Sequence, residues 1–430
     1  MNAPLRIGVA GLGTVGGGVV KLLTEHSRLL SVRAGRPIRL VAVSARSRAK
    51  KRDFALDGVR WERDPLALAE ATDIDVVVEL IGGSAGVARR LVQRAIARGK
   101  HVVTANKALL AMHGSQIALA AEKRGVAVAF EAAVAGGIPV VKALREGLVG
   151  NRVRRLYGIL NGTCNYILST MRETGRDFAT VLAEAQQAGY AEADPSFDVD
   201  GIDAAHKLAV LTGAAFGAKV NFAGIHVEGI RRVSAMDIAF ADELGHRIKL
   251  LGLARETRDG IEQRVHPCMV PLAAPIAHIE GVFNAVVVEG DFVGTTMFQG
   301  RGAGQGPTAS AVVADLVDLA RGRVMPAFVV PAERLADRAA APMDRHVGAY
   351  YMRLMVQDQP GVIAAVSSIL ARHHISLESM LQRGRSPEGA VAVVLTTHST
   401  QEARMRRAAE QIGRLKAVTE PPCLIRIEQF

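Results

Sequence analysis

The chain has 430 residues, enough for about three domains of ordinary size, and 49% of them are apolar, which excludes a largely disordered polypeptide. The arginines behind a net charge of +11 are spread along the chain, with short basic stretches at 46–52 and 404–407, and only 4% of residues are aromatic. A solvated basic surface, which would also suit an anionic cofactor, is therefore favoured over nucleic-acid binding. Three scattered cysteines (Cys164, Cys268, Cys423) make neither a disulfide framework nor a CxxC metal site, and they fit a reducing compartment. Met1 to Ile7 runs into a strand-like segment without the pattern of a secretory leader. No apolar run reaches the ~18 residues of a membrane span. The expectation is a cytoplasmic protein with no membrane and no nucleic-acid partner.

Residues 5–10 (LRIGVA) read as a strand, followed by Gly11-Leu12-Gly13-Thr14-Val15-Gly16 and a helical pattern. Further strands are read at 38–43, 74–80, 101–103 and 126–130, with amphipathic helices at 86–98 and 114–124. Short apolar strands alternating with helices predict a parallel, doubly wound α/β sheet of the Rossmann type over residues 1–130. From Glu131 the texture changes to a glycine-rich loop, a strand near 153–159, and helices at 165–173, 177–188, 201–216 and 234–244. Strands resume at 247–254, 263–270 and 283–289. The helix at 308–321 follows a glycine cluster, and residues 305–330 are expected to complete the first domain. Residues 131–304 form a second α/β domain. The Pro-, Ala- and Arg-rich stretch 331–347 reads as a linker, and 348–430 reads βαββαβ, a small independent domain.

The G-x-G-x-x-G pattern at Gly11, Gly13 and Gly16 follows a strand and opens a helix, the context in which a backbone can approach a pyrophosphate. At the end of the second strand, where an NAD site carries an acid for the ribose, stands Arg46, followed by Arg48, Lys50, Lys51 and Arg52. That favours NADP over NAD, the plain alternative being an exposed basic loop. Gly82, Ser84 and Gly86 spell G-x-S-x-G, the nucleophile elbow of a serine hydrolase, which requires a histidine within reach of Ser84.

Lysine supplies only 11 of the 53 basic residues, and two of the lysines occupy telling positions. Lys107 follows a strand end, where a Rossmann cofactor's reactive ring lies. Lys207 follows Asp203 at i+4, so both project from one helix face. An exposed ion pair worth roughly 0.2–0.5 kcal/mol is the simpler reading of that spacing. Upstream, residues 192–201 gather acids. A calcium loop fails there, because Lys207 would fall at the position that needs a bidentate Glu. A solvated acidic turn and a site for a substrate ammonium both remain.

These segments resemble bacterial homoserine dehydrogenases: 11–16, Glu-Leu-Ile-Gly-Gly at 79–83, Thr-Ala-Asn-Lys at 104–107, residues 131–139, Asn-Gly-Thr at 161–163, Gly-Tyr-Ala-Glu-Ala-Asp-Pro at 189–195, Asp-Ala-Ala-His-Lys at 203–207 and Gly302-Ala303-Gly304. The resemblance spans essentially the whole chain in the same order. It implies reversible, nicotinamide-dependent oxidation of L-homoserine to L-aspartate 4-semialdehyde, in threonine and methionine biosynthesis. It also implies Lys207 as the proton carrier with Asp203 orienting it, Lys107 beside nicotinamide and substrate, and Glu192, Asp198, Asp203 and Thr163 on the substrate. The dinucleotide falls to Gly11, Leu12, Gly13, Thr14, Val15, Gly16, Arg46, Lys107 and Gly304. A monovalent cation, sodium, is implied on the carbonyls of Glu131, Val134, Gly136 and Ile138. Residues 131–304 are then the catalytic and dimerisation domain, and 348–430 resembles an ACT module. Its Asp358-Gln359-Pro360-Gly361 turn would hold an amino-acid effector, threonine, in a homo-oligomer. The sequence departs from the family at Cys164, where Thr is expected, and at Arg301, in place of Pro. A non-catalytic amino-acid sensor on a dead dehydrogenase body is the remaining alternative; it would require a lost catalytic residue.

Overall fold

Six strands pair in parallel in the order Arg60–Glu62, Ile38–Ser44, Leu5–Ala10, Val76–Glu79, His101–Thr104, Val128–Ala129. The computed structural model describes residues 3–383 and 389–430. Strand order reverses between Leu5–Ala10 and Val76–Glu79, so a crevice opens beyond their carboxyl ends, at the topological switch point. Successive side chains leave a strand on opposite faces, and the packing follows that rule. Val76, Val78 and Val103 join Val19, Val20 and Leu23 of helix Thr14–Glu25 on one face. Val77 and Val102 join Leu91, Ala95 and Leu109 on the other. Each such fully buried aliphatic side chain contributes roughly 1.5–3 kcal/mol.

Helix Gln305–Ala320 returns from far along the chain to this first face, burying Val312, Val313 and Leu316 against helix Thr14–Glu25. Gly18 admits it: a Cβ there would lie 2.7 Å from Gln305 Cγ and 2.8 Å from its carbonyl oxygen.

The second sheet runs Gly294–Arg301, Phe283–Gly290, Val153–Ile159, His246–Thr257, Gly260–Pro271, then Cys423–Ile427, Val347–Gln357, Ala390–Thr397, Leu377–Gln382. The last four strands, with helices Val362–Arg372 and Glu402–Gly413, are the expected βαββαβ unit. Its sheet does not stand alone, however. Cys268 and Met269 pair in parallel with Arg426 and Ile427, so one sheet crosses the seam between the two units.

Charged side chains fill that seam. Arg264, 2% exposed, forks onto Glu428 and also meets Glu262, while Arg353 and the Tyr351 hydroxyl both donate to fully buried Asp237. The 331–347 stretch is pinned as well, through single bridges from Ala336 to Ala218 and from Ala340 to Ile261. Among the described residues no helix is long and apolar enough to cross a membrane.

Candidate active site

Helix Ile202–Phe216 is apolar on nearly every side, and Ala204, Ala205, Leu208, Ala209, Val210 and Leu211 are all buried. A helix apolar all round is an interior helix, which carries Asp203 and Lys207 into the core, 3% and 8% exposed. The exposed i,i+4 pair of the simpler reading is therefore overturned. Two buried charges are costly unless fully partnered, and here they are partnered closely. Lys207 Nζ donates to Asp203 Oδ2 at 2.6 Å and to the Leu160 carbonyl at 2.7 Å. Lys107 Nζ stands 3.0 Å from Asp203 Oδ1.

Asn161 holds the group together. Its side-chain oxygen caps helix Gly162–Thr174 by accepting from Cys164 N, and its amide donates at 2.8 Å to both Asp198 Oδ1 and Asp203 Oδ2. The two carboxyls are thereby driven apart. Burial raises Asp203, but Lys207, Lys107 and the hydrogen bonds outweigh it and hold the group well below the usual carboxylate range. Burial, reinforced by the Asp203 charge, pushes Asp198 up, with Asn161 opposing. An ionised acid and a more readily protonated one thus share one amide.

The dinucleotide-type loop belongs to the same parallel-sheet domain that supplies Lys107 to this cluster. Gly11 has φ of 100°, and a Cβ on it would lie 2.4 Å from the Leu80 carbonyl oxygen, so no larger residue fits. Leu12 is buried and Gly13, by contrast, faces open space. Thr14 and Val15 open helix Thr14–Glu25, which no side chain caps, so its first-turn N–H groups can receive a phosphate. Gly16 closes the turn against Gly11, where a Cβ would lie 2.0 Å from the Gly11 carbonyl oxygen. Gly304, with φ of 119°, precedes helix Gln305–Ala320, which also has no side-chain cap. Arg46 lies exposed just past strand Ile38–Ser44, whose Ser44 carbonyl accepts from Gly11 N. Arg52 is used within its own loop, donating to the carbonyls of Ser47, Arg48 and Lys50.

Lys107 reaches the cluster because Asn106 caps helix Lys107–Lys123 at Leu109 N, which starts the helix well before residue 114. Glu79, fully buried, accepts from Ile81 N, Gly82 N and the Thr104 hydroxyl, and Asn106 donates to the Gly83 carbonyl. These bonds lock the 79–83 loop to the 104–107 turn at the switch point. Glu79 and Asn161 stand within the quoted motifs, which assign neither of them a role. The helix-capping signature of Asn before Gly-Thr would have found Asn161.

The remaining candidates fall as follows. Thr163 donates to the Tyr190 carbonyl at 2.8 Å. Glu192 is exposed, and no hydrogen bond joins its carboxylate to the cluster. Glu131 is buried and accepts from Val141 N and Lys142 N; burial, then Asp315, pushes its carboxyl up to about 7. The buried carbonyls of Val134 and Gly136 accept no hydrogen bond from the described residues, and Ala135 between them has φ of 48°. Ile138 accepts from Val140 N. Two unclaimed buried carbonyls are the donor type that suits a monovalent cation.

Two other chemistries are excluded by their neighbours. Ser84 has no hydroxyl hydrogen bond to a histidine among the described residues, and His113 meets only its backbone, so the hydrolase reading fails. His266, Cys268 and Glu428 converge within 4.8 Å, but the Arg264 guanidinium already holds Glu428 and His266 Nε2 and would repel a metal ion. A groove of about 720 Å³ between helices Thr14–Glu25 and Gln305–Ala320 contains none of the Asp203 cluster.

Comparison with known proteins matches this architecture, domain by domain, to one family. Residues 11–131 match the family model for the homoserine dehydrogenase NAD-binding domain, 139–317 that for homoserine dehydrogenase, and 350–417 that for the ACT domain. A homoserine dehydrogenase of Pseudomonas aeruginosa is 48% identical over 434 residues, 99% of each chain. The crystal structure of one from Thiobacillus denitrificans superposes with a TM-score of 0.93 at 47% identity, covering 99% of each chain. A hyperthermophilic archaeal homoserine dehydrogenase in complex with NADPH matches 74% of this chain and 97% of its own, with a TM-score of 0.62 at 26% identity.

Proposed function

Because this chain belongs to the homoserine dehydrogenase family, nicotinamide-dependent oxidoreductases that interconvert L-homoserine and L-aspartate 4-semialdehyde, we propose that the Asp203 cluster is its proton-transfer and substrate site. The observation that carries this is the buried Asp203–Lys207 pair joined by the half-buried Lys107 from the carboxyl end of the parallel sheet. Lys207 Nζ gives a proton to the aldehyde oxygen in the reductive direction and accepts it from the hydroxyl in the other. Asp203 fixes that ammonium, and Lys107 lies on the cofactor side. Asp198 and Glu192 take the substrate's amino group, and Thr163 borders the pocket. A cationic amine against Asp198 reverses the upward push on its carboxyl, so affinity for homoserine falls as the solution is acidified. When bound, the nicotinamide supplies or accepts the hydride.

Support for NADP comes from the exposed Arg46, Arg48, Lys50 and Lys51 beside the loop, and from the archaeal relative solved with NADPH. Sodium on the carbonyls of Glu131, Val134, Gly136 and Ile138 is favoured by the two unclaimed carbonyls there. Threonine as effector, at the turn 358–361 between strand Val347–Gln357 and helix Val362–Arg372, accords with feedback by a downstream product. Residues 131–304 as the dimerising body, a homo-oligomer, and a cytoplasmic location complete the reading.

The test is initial rates with L-homoserine, using NADP and NAD in parallel, sodium against choline, and with or without threonine. Preference for NADP, sodium dependence and threonine inhibition each support one element. Loss of turnover in Lys207→Met by about 10²–10⁴-fold, with dinucleotide binding intact, is the expected signature of the proton carrier. Near-normal turnover in that variant removes Lys207 from the mechanism, and no turnover of the unaltered, folded chain in either direction returns the sensor reading.

A further inference from the structure

The turn that carries Asp198 leads through Gly201 into the helix of Asp203, and it lies flat on the segment 227–231. A Cβ on Gly229 would fall 2.2 Å from the Val199 carbonyl oxygen and 2.5 Å from Asp200 Cα, so the two backbones are in contact. Ile230 N donates to that same Val199 carbonyl at 2.8 Å. Gly201, with φ of 84°, would place a Cβ 3.2 Å from Val227 Cγ1 and 3.4 Å from the Glu228 carbonyl oxygen. Arg231 Nη2 then reaches Asp200 Oδ2 at 3.2 Å and Ser196 Oγ at 3.0 Å. Wherever 227–231 sits, the turn 196–201 must sit with it.

The backbone of 227–231 is held by strand Gly260–Pro271, where Glu228 N donates to the Val265 carbonyl at 2.7 Å, and the Glu228 side chain is held by His226 and by a residue of the C-terminal domain. Arg426, in strand Cys423–Ile427, donates through Nη1 and Nη2 to both Glu228 oxygens, at 3.0 and 2.9 Å. The same guanidinium forks onto Glu402 of its own domain, at 2.9 and 2.6 Å, and Glu402 in turn accepts from the Tyr350 hydroxyl. Arg426 is 3% exposed and Glu402 fully buried, so both forks are desolvated on the C-terminal side. Bidentate arginine–carboxylate contacts fix orientation as well as distance.

We propose that Arg426, acting through Glu228, is a positioning residue for the substrate turn, and that it ties the C-terminal domain to the geometry of Asp198 and Asp203. The proposal rests on reading those two acids as part of the homoserine site. The path is short: a guanidinium–carboxylate fork, one residue of chain, then backbone on backbone. It touches neither the dinucleotide loop nor Lys107.

The experiment uses the full-length chain and two conservative variants, Arg426→Lys, which loses the fork, and Glu228→Gln, which keeps the shape and loses the charge. The KM for L-homoserine should rise about tenfold, within the usual range for coupling between sites, while the KM for the dinucleotide stays unchanged. A contact that only stabilises the fold would lower the melting temperature and leave the homoserine KM alone; that result in the folded variants overturns the proposal. Should Arg426→Lys fail to fold, Glu228→Gln decides by the same criterion. Asp198→Asn is assayed alongside. An unchanged homoserine KM there refutes the reading of the site itself. A raised KM in Asp198→Asn beside an unchanged one in Glu228→Gln refutes the coupling alone.

Discussion

Replacing Asp203 by Asn removes one charge and almost no volume, which makes it a direct probe of the buried cluster. Asp203 faces Lys207 at 2.6 Å and Lys107 at 3.0 Å. Taking away one partner of a buried ion pair costs about 3–5 kcal/mol. Lys107 has a third of its side chain in solvent and is partly screened, so the lower end, about 3 kcal/mol, is the expected loss at pH 7. The pH dependence follows from the direction of the shift. The folded carboxyl is held below its unfolded value, so its contribution is complete above roughly pH 4 and fades as the pH falls toward the folded value. Urea unfolding of both proteins at pH 7 and pH 3 should show the gap narrowing by roughly 1 kcal/mol in acid. Turnover should fall about 100-fold or more, because Lys207 loses the group that aims it. A gap under about 1 kcal/mol at pH 7, or one indifferent to acid, refutes the claim that this is a desolvated ionic cluster.

Three further outcomes are expected. Arg46→Asp should raise the KM for NADP about tenfold or more and leave that for NAD nearly unchanged; equal changes would make Arg46 an ordinary surface residue. Glu79→Leu, of similar volume, strips the acceptor from Ile81 N and Gly82 N, and should weaken dinucleotide binding measured by nucleotide fluorescence by about tenfold, with the homoserine KM little altered. Glu131, its carboxyl raised to about 7 in the fold, favours the protonated native state; in sodium-free buffer, stability should therefore decline as pH rises from about 4.5 to 7 and level off above. Glu131→Gln should flatten that slope, whatever its absolute cost, and an unaltered slope assigns the titration to another group.

Much of this was legible because period and place agreed. The apolar runs at 5–10 and 38–44, broken by Gly11 to Gly16, admit little besides a parallel sheet with a phosphate loop. Short edge elements were not legible: Arg60–Glu62 and His226–Val227 are too brief to show a period, and Gly294–Arg301 is an edge strand with little apolar content. In the site, the spacing of Asp203 and Lys207 was visible but their burial was discounted, although the ring of Ala, Leu and Val around them signals an interior helix. The meeting of Asn161 with Asp198 joins residues 37 apart through two domain-internal turns, and no local pattern announces such a contact. The joined sheets were equally hidden, since the seam is only two residue pairs long.

That seam bears on how this polypeptide can be re-engineered. Strand Gly260–Pro271 has its outer edge covered piecewise, at Ile261 by Ala340, at 264–265 by His226–Val227, and at 268–269 by Arg426 and Ile427. A stop codon placed before residue 347 would bare part of that edge, strand Asp237 without Tyr351 and Arg353, and leave Arg264 without Glu428. The C-terminal unit is thus a lid on the catalytic body's own sheet, and not a detachable accessory. On the proposed reading of the 358–361 turn as an effector site, chains freed from such control are to be sought among point changes there, with every residue of the lid left in place.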